Sequence, residues 1–455
     1  MQLLGGIFYY FISIYLSKGD FGIFSWTNAV SVFITTLLGC GLEQVVVRRI
    51  AASGRSDWAA AAYFVHSAIG FAITFVFLLL LNKITHDTKG LYKNLPWFFM
   101  AQGLLFIALP FKQFLNAKER FTPFGIISVV SNAGKIVAAW LLVHGGVLKI
   151  NEVLYIMIIT GAFELAGLLL YVSTKTTFSF GFRISAYYKL LRESAAQYIS
   201  VIFDSSLSRM DWILLGVMTS TSVLADYSFA YRAYELAKLP MLIIAPIILP
   251  RFAKLLSVNN KIEPAYQEYI NSFNVIELFF AAGIPLVLNI IWVPLLSMMT
   301  NGKYGASNAT EFSILSLCIP LQFFINLLWS LSFGAKRYKQ VSSITVICAI
   351  GNIVLNVLVI PKFGGIGAAA AFLTTMVLQA GLYYRLVRRD IISLPLLPLF
   401  IFTAEAATCY LVVKNIHINF ILQLTAGCAL YLLIAVAMRQ VTKQHFKNFK
   451  HVLTQ

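Results

Sequence analysis

The chain has 455 residues, of which 59% are hydrophobic and only 12% charged, with a mean hydropathy of +0.80. Soluble domains carry about 25% charged residues, so a water-soluble fold is excluded and the bilayer becomes the main solvent. Lysine and arginine outnumber aspartate and glutamate by 35 to 18, but no basic run is long enough to suggest a nucleic-acid partner, so the excess reads as membrane topology.

Apolar runs long enough to span a hydrocarbon core of about 30 Å predict fourteen transmembrane segments: 1–17, 22–46, 58–82, 95–116, 121–143, 150–173, 195–218, 222–250, 270–299, 308–333, 339–360, 364–385, 392–413 and 418–438. All are expected to be helices, because backbone amides in lipid must be satisfied within their own segment. The fold class is therefore all-α and polytopic. The first segment lacks a basic leader and a small-residue cleavage site and reads as a retained span. Twenty-three of the Lys and Arg residues fall in loops after even-numbered segments, near the segment ends that border them, or in the tail, against eight after odd-numbered ones, which puts both termini in the cytoplasm.

Charged groups inside a span are costly and mark functional candidates. The second segment carries Asn28, Ser31 and Thr35 along one face, and the third a lone His66 read as structural. The fifth carries Ser128, Asn132 and Lys135 at helical spacing, with Lys135 near mid-span. The seventh carries Asp204, Ser208 and Asp211, with Arg209 on an adjoining face. The eighth carries Tyr227, Tyr231, Tyr234 and Lys238 as a stripe, with Arg232 and Glu235 three apart.

Together these predict a hydrated cleft lined by Lys135, Arg209, Arg232 and Lys238 that receives an anionic headgroup. Tyr231 and Tyr234 would offer flat surfaces to sugars, Asn28 and Asn132 polar contacts, and Asp204 and Asp211 ion coupling. Structural alternatives stand beside these roles: Arg232 pairing with Glu235, Lys238 snorkelling to the boundary, and Asp211 with Arg209 as a structural pair. Glu43, Glu164, Glu277 and Glu405 look isolated and read as packing residues. Cys40, Cys318, Cys348, Cys409 and Cys428 lie singly, and no metal, nucleotide or nucleophile motif appears, so no cofactor is implied.

The chain also repeats itself. Gly134-Lys135-Ile136-Val137 and Gly145-Gly146 recur as Gly351-Asn352-Ile353-Val354 and Gly364-Gly365 at offsets of 217 and 219, and Asn116-Ala117-Lys118 answers to Gly334-Ala335-Lys336 at 218. Two similar bundles are expected: an N-lobe over 1–174, a cytoplasmic connection over 175–194, a C-lobe over 195–388, and two further helices with a basic tail over 389–455. Such repeats are a common transporter architecture, with substrate held between them.

A set of ordered motifs spans most of the chain. It runs from Leu16-Ser17-Lys18-Gly19-Asp20-Phe21-Gly22-Ile23-Phe24 through Gly41-Leu42 with Arg48-Arg49, and Asp211 before Tyr227-Ser228-Phe229-Ala230-Tyr231. It continues with Tyr304-Gly305-Ala306-Ser307, Ile314-Leu315 and Gly364-Gly365-Ile366-Gly367-Ala368-Ala369. In these the chain resembles the polysaccharide repeat-unit translocases (Wzx-type flippases) of the multidrug/oligosaccharidyl-lipid/polysaccharide exporter superfamily. The resemblance implies a non-enzymatic flippase that moves undecaprenyl-pyrophosphate-linked glycan units of O-antigen or capsule type across the bacterial inner membrane by alternating access. Polysaccharide polymerase machinery would act downstream. Fourteen segments instead of twelve resemble the lipid II flippase branch. The alternatives are an ion-coupled multidrug exporter of the same superfamily and a membrane glycosyltransferase or polymerase, for which only Asp87, Glu152 and Glu311 offer outward acids.

Overall fold

Hydrocarbon offers backbone amides no water to bond, and the chain answers with helix nearly throughout. The computed structural model describes residues 2–53, 57–85, 89–146, 148–176, 178–256, 264–416 and 418–454; Arg55, Asp87 and Lys261, all assigned to loops, lie outside these. In order the helices are α1 (Gln2–Tyr15), α2 (Lys18–Leu38), α3 (Leu42–Ser53), α4 (Asp57–Ile84), α5 (Leu91–Ala117), α6 (Phe121–His144), α7 (Ile150–Lys175), α8 (Ile184–Met218) and α9 (Thr221–Ala237). They continue with α10 (Leu239–Leu255), α11 (Pro264–Met299), α12 (Ala309–Ser316), α13 (Cys318–Gly334), α14 (Tyr338–Asp390), α15 (Leu397–Lys414), α16 (Phe420–Ala437) and α17 (Lys443–Thr454). No strand occurs among the described residues.

Among the described residues, ten helices are long and apolar enough to cross a membrane, eleven when the bent pair α9–α10 counts as one span. Every predicted segment has a helix over it. The long α14 supplies two, because Gly364 (φ 54°, ψ −129°) breaks it. Two boundaries differ from the hydropathy reading. The second segment stops at Leu38, since Cys40 (φ 49°) and Gly41 (φ 67°) turn left-handed before α3. The eighth breaks at Lys238, where Pro240 opens α10.

By contact the chain divides into two compact units, residues 1–225 and 226–455, so α8 belongs with the first, whereas the repeat places the lobe boundary before it. In the first unit α5 packs on α2, α3, α4 and α7, α6 lies against α7 and α1, and α8 runs along α2 and α3. Phe106, Phe111 and Phe114 of α5 form its core with Val46, Tyr63 and Leu168. Lipid provides little hydrophobic drive between helices, so close approach at small residues matters more. At Gly216 an added Cβ would stand 1.9 Å from the Trp26 ring. That indole donates from Nε1 to the Ile213 carbonyl at 3.1 Å, fastening α2 to α8.

In the second unit α11 packs on α13, α15, α16 and α17. The basic tail is helical, not loose: Asn448 of α17 donates to Ser272 Oγ at 3.1 Å, and Phe449 stacks on Phe273 with centroids 5.1 Å apart. The repeat survives as backbone geometry, although its first turn matches at an offset of 217 instead of 218. Arg120 N–H bonds Leu115 O as Arg337 N–H bonds Ser332 O, and Glu119 (φ 57°) answers to Lys336 (φ 59°).

Candidate functional site

In the first unit, α5, α6 and α7 bring together five polar side chains. Lys112 Nζ lies 2.5 Å from Glu164 Oε1, and Ser128 Oγ donates to the same oxygen at 2.6 Å. Asn132 donates to the Ser128 carbonyl at 2.7 Å, and Lys135 Nζ donates to Asn132 Oδ1 at 3.4 Å. Lys135 is also within electrostatic reach of Glu164 and Lys112. At 1.5 Å of rise per residue, Lys112 stands roughly 8 Å in from the end of α5 and Lys135 roughly 21 Å along α6, so the cluster climbs from one boundary toward mid-membrane. The opposite face of α6, with Ile126, Val130, Val137 and Leu141, is exposed and apolar. Lys112 takes the carboxylate of Glu164 and Lys135 bonds a neutral amide, so two ammonium groups stand beside one carboxylate and the cluster holds a net positive charge suited to an anion.

The other first-unit candidates sit elsewhere. Asn28 accepts from Gln102 Nε2 at 2.7 Å. Arg209 lies over the Trp212 ring, 5.0 Å from its centroid, with Nη1 buried and without a hydrogen-bond partner. Asp211 is buried and accepts the Trp212 N–H at 2.8 Å, while Asp204 is exposed. Lys135 and Arg209 thus share no contact among the described residues.

Second-unit candidates are more structural than their sequence spacing suggests. Arg232 pairs with Glu235 at 2.5 Å. Tyr231 and Tyr234 are buried, each packing edge-on against Phe372 with centroids 5.4 and 5.6 Å away, and Tyr234 OH donates to Gln322 Oε1. Their ring faces are occupied by packing in place of sugar. Lys238, at the break before α10, lies 4.4 Å from the Tyr234 centroid.

Glu164 is not isolated, nor is Glu43, which accepts from Gln113 Nε2 at 3.2 Å. Reading each span alone hid these pairs; the signal was that Lys112 and Glu164 both lie several residues inside their apolar runs. The second copy of the repeat lacks the charges. At an offset of 217 Trp329 stands for Lys112 and Asn352 for Lys135, and positions 381–383, which answer to Glu164, are Gly-Leu-Tyr. There Asn352 donates to Thr375 Oγ1 at 3.2 Å and accepts from Asn356 at 3.0 Å, a neutral network.

A family model described as polysaccharide biosynthesis protein matches residues 1–256. No match was found among curated proteins. Among solved structures, the lipid II flippase MurJ in an inward closed conformation is similar at a TM-score of 0.78 and 15% identity, over 96% of this chain and 97% of that one. An inward-facing multidrug resistance MATE family transporter of the MOP superfamily is similar at 0.64 and 11%, over 92% and 96%. A Vibrio cholerae MATE transporter follows at 0.58 and 16%, over 86% and 94%. The likeness at these identities is one of fold.

Proposed function

The chain belongs to the polysaccharide biosynthesis protein family, and from that premise we propose that it is a flippase for undecaprenyl-pyrophosphate-linked oligosaccharides, of O-antigen or capsule type. It would work by alternating access in the bacterial inner membrane, with both termini cytoplasmic and polymerase machinery acting on its product. The observation that carries this reading is the Lys112–Glu164–Lys135 cluster. Buried ammonium groups are tolerated when a carboxylate offsets their desolvation, and Glu164, itself held by a hydrogen bond from Ser128, supplies this to Lys112. Phosphoryl oxygens of a pyrophosphate would give Lys135 a direct anionic partner, and ammonium suits them as a compact point charge. Arg209 is a further proposed contact, and Asp211 a proposed ion-coupling carboxylate. The MurJ fold supports the reading, since that protein is a lipid II flippase.

The test is complementation of a strain lacking the gene. Lys112→Gln and Lys135→Gln should insert at normal levels yet abolish surface polysaccharide; normal polysaccharide in both would reject the site.

A second reading, an ion-coupled multidrug exporter, is favoured by the buried Asp211 carboxylate and the MATE-like fold. Drug efflux that depends on Asp211 but not on Lys135 would select it. A glycosyltransferase or polymerase is disfavoured, because the two outward acids among the described residues have structural work. Glu152 accepts the Lys149 N–H at the start of α7, and Glu311 lies buried against Gly365.

A further inference from the structure

A separate basic cavity of about 540 Å³ opens in the first unit where α5 ends, α6 begins and α7 ends, lined by Phe114, Lys118, Arg120, Thr174, Lys175 and Thr176. Its composition is unlike that of the membrane-facing helix surfaces nearby: three cations and two hydroxyls around one aromatic ring. Arg120 donates through Nη1 to the Lys175 carbonyl at 3.1 Å, which fixes the guanidinium at the rim and leaves its other N–H groups available. Lys118 stands 3.6 Å from Asp57, so one of the three charges is already offset. Neither Arg120 nor Lys175 is paired with a carboxylate among the described residues.

The surroundings mark the depth of this cavity. Phe178 packs its ring on Phe114, centroids 5.0 Å apart, and the chain then exposes Phe180, Phe182 and Ile184. Exposed aromatic and aliphatic side chains beside cations are the signature of a membrane boundary. The loops concerned follow even-numbered segments, the side the charge bias assigns to the cytoplasm. Basic pockets between helices at that level suit anionic lipid headgroups.

We propose that this cavity is a binding site for the phosphodiester headgroup of an anionic phospholipid of the cytoplasmic leaflet. Arg120 and Lys175 would hold the phosphate oxygens, Lys118 would add field, and the exposed Phe180–Ile184 stretch would lie against the acyl chains. The net positive charge selects against zwitterionic headgroups, and the apolar rim selects against free phosphate. This site does not depend on the flippase reading.

The experiment is lipid retention by native mass spectrometry on the full-length protein, purified with phosphatidylglycerol and phosphatidylcholine in equal amounts. The wild type should retain phosphatidylglycerol preferentially. Lys175→Gln, which removes an ammonium without an ion pair among the described residues, should weaken that preference about fivefold, and removal of each further charge in Arg120→Gln and Lys118→Gln by a similar factor. The charge-keeping pair Arg120→Lys and Lys175→Arg should retain it, as should Lys443→Gln with Lys447→Gln on α17. An unchanged preference in Lys175→Gln and the triple variant would overturn the proposal. So would displacement of the lipid by millimolar inorganic phosphate, which would make the cavity a simple anion site. Should the triple variant fail to fold, Lys175→Gln decides alone.

Discussion

Lys112 and Glu164 meet 2.5 Å apart across the α5–α7 seam, inside two apolar helices. Breaking such a pair leaves a charge uncompensated, whereas replacing both partners is far milder. Lys112→Gln and Glu164→Gln should each lower the melting temperature in detergent, and the double variant should regain part of the loss. A coupling of about 0.5–3 kcal/mol is expected for groups in contact. Purely additive losses would mean that the pair is not formed in solution.

The two copies of the repeat share turns but not charge, so their polar networks should fail differently. Asn352→Ala removes the donor to Thr375 Oγ1 and one of the two acceptors of Asn356 Nδ2 inside the second unit. Buried polar groups that lose hydrogen bonds cost about 1–3 kcal/mol, so this variant should melt earlier while export per inserted molecule stays normal. Lys135→Asn, which copies the second unit's residue into the first, should do the reverse: near-normal melting and export reduced at least about tenfold, or 1.4 kcal/mol. Loss of export in Asn352→Ala at full insertion would move function into both units.

Much of this was legible from the sequence. Hydropathy alone places each predicted segment on a helix because lipid leaves helix as the only backbone solution, and Gly364 announced the break that divides α14. The segment ends at Leu38 and Lys238 were not legible, since a left-handed turn at Cys40–Gly41 and a proline at α10 interrupt runs whose hydropathy continues. At the site, Lys135 and Asn132 were visible from spacing along one helix. Lys112 and Glu164 were not, because Lys112 falls among the cations counted to the cytoplasmic side and Glu164 reads as a packing residue, and only packing of α5 on α7 makes them a pair. Tyr231 and Tyr234 misled for the opposite reason: a stripe along one face looks the same whether it lines a cleft or meets Phe372.

Lys89 closes the end of α8 in the first unit. Its ammonium donates to the carbonyls of Gly216, Val217 and Thr219 at 3.3, 2.9 and 2.8 Å, the groups a helix C-terminus leaves unpaired. A cation in that position also complements the negative end of the helix dipole, an effect of about 0.3–1 kcal/mol when exposed. Lys89→Met should lose about that much stability, Lys89→Arg little, and Lys89→Glu more than either. Equal melting of all three would remove the capping role.

Glu193 precedes the seventh span, and Arg49 donates to both its oxygens. These bonds hold its carboxyl below the ordinary carboxylate range. A lowered folded value means that the contribution is complete above the ordinary value and disappears as pH falls through the lowered one. Wild-type melting should therefore drop on acidification through that window. Arg49→Gln should be less stable at neutral pH and show a shallower acid slope; parallel pH profiles would refute the link.

Gly22 and Gly216 both sit where α2 meets its neighbours, yet they should respond differently to a single methyl. At Gly216 the obstacle is the Trp26 side chain, so Gly216→Ala forces the indole aside and costs its bond to Ile213. Overpacking of this kind costs about 1–3 kcal/mol, and Trp26→Leu should recover part of it by removing the obstacle. At Gly22 an added Cβ would stand 2.0 Å from the Thr221 carbonyl oxygen, which is backbone and cannot be trimmed. Gly22→Ala should therefore be the more damaging change, and no side-chain substitution at Thr221 should rescue it. Melting curves of these variants, with Trp26 fluorescence reporting the displaced ring in Gly216→Ala, check both halves; rescue of Gly22→Ala by Thr221→Gly or Thr221→Ser would show that the helices can slide, and the close approach would then not be obligatory.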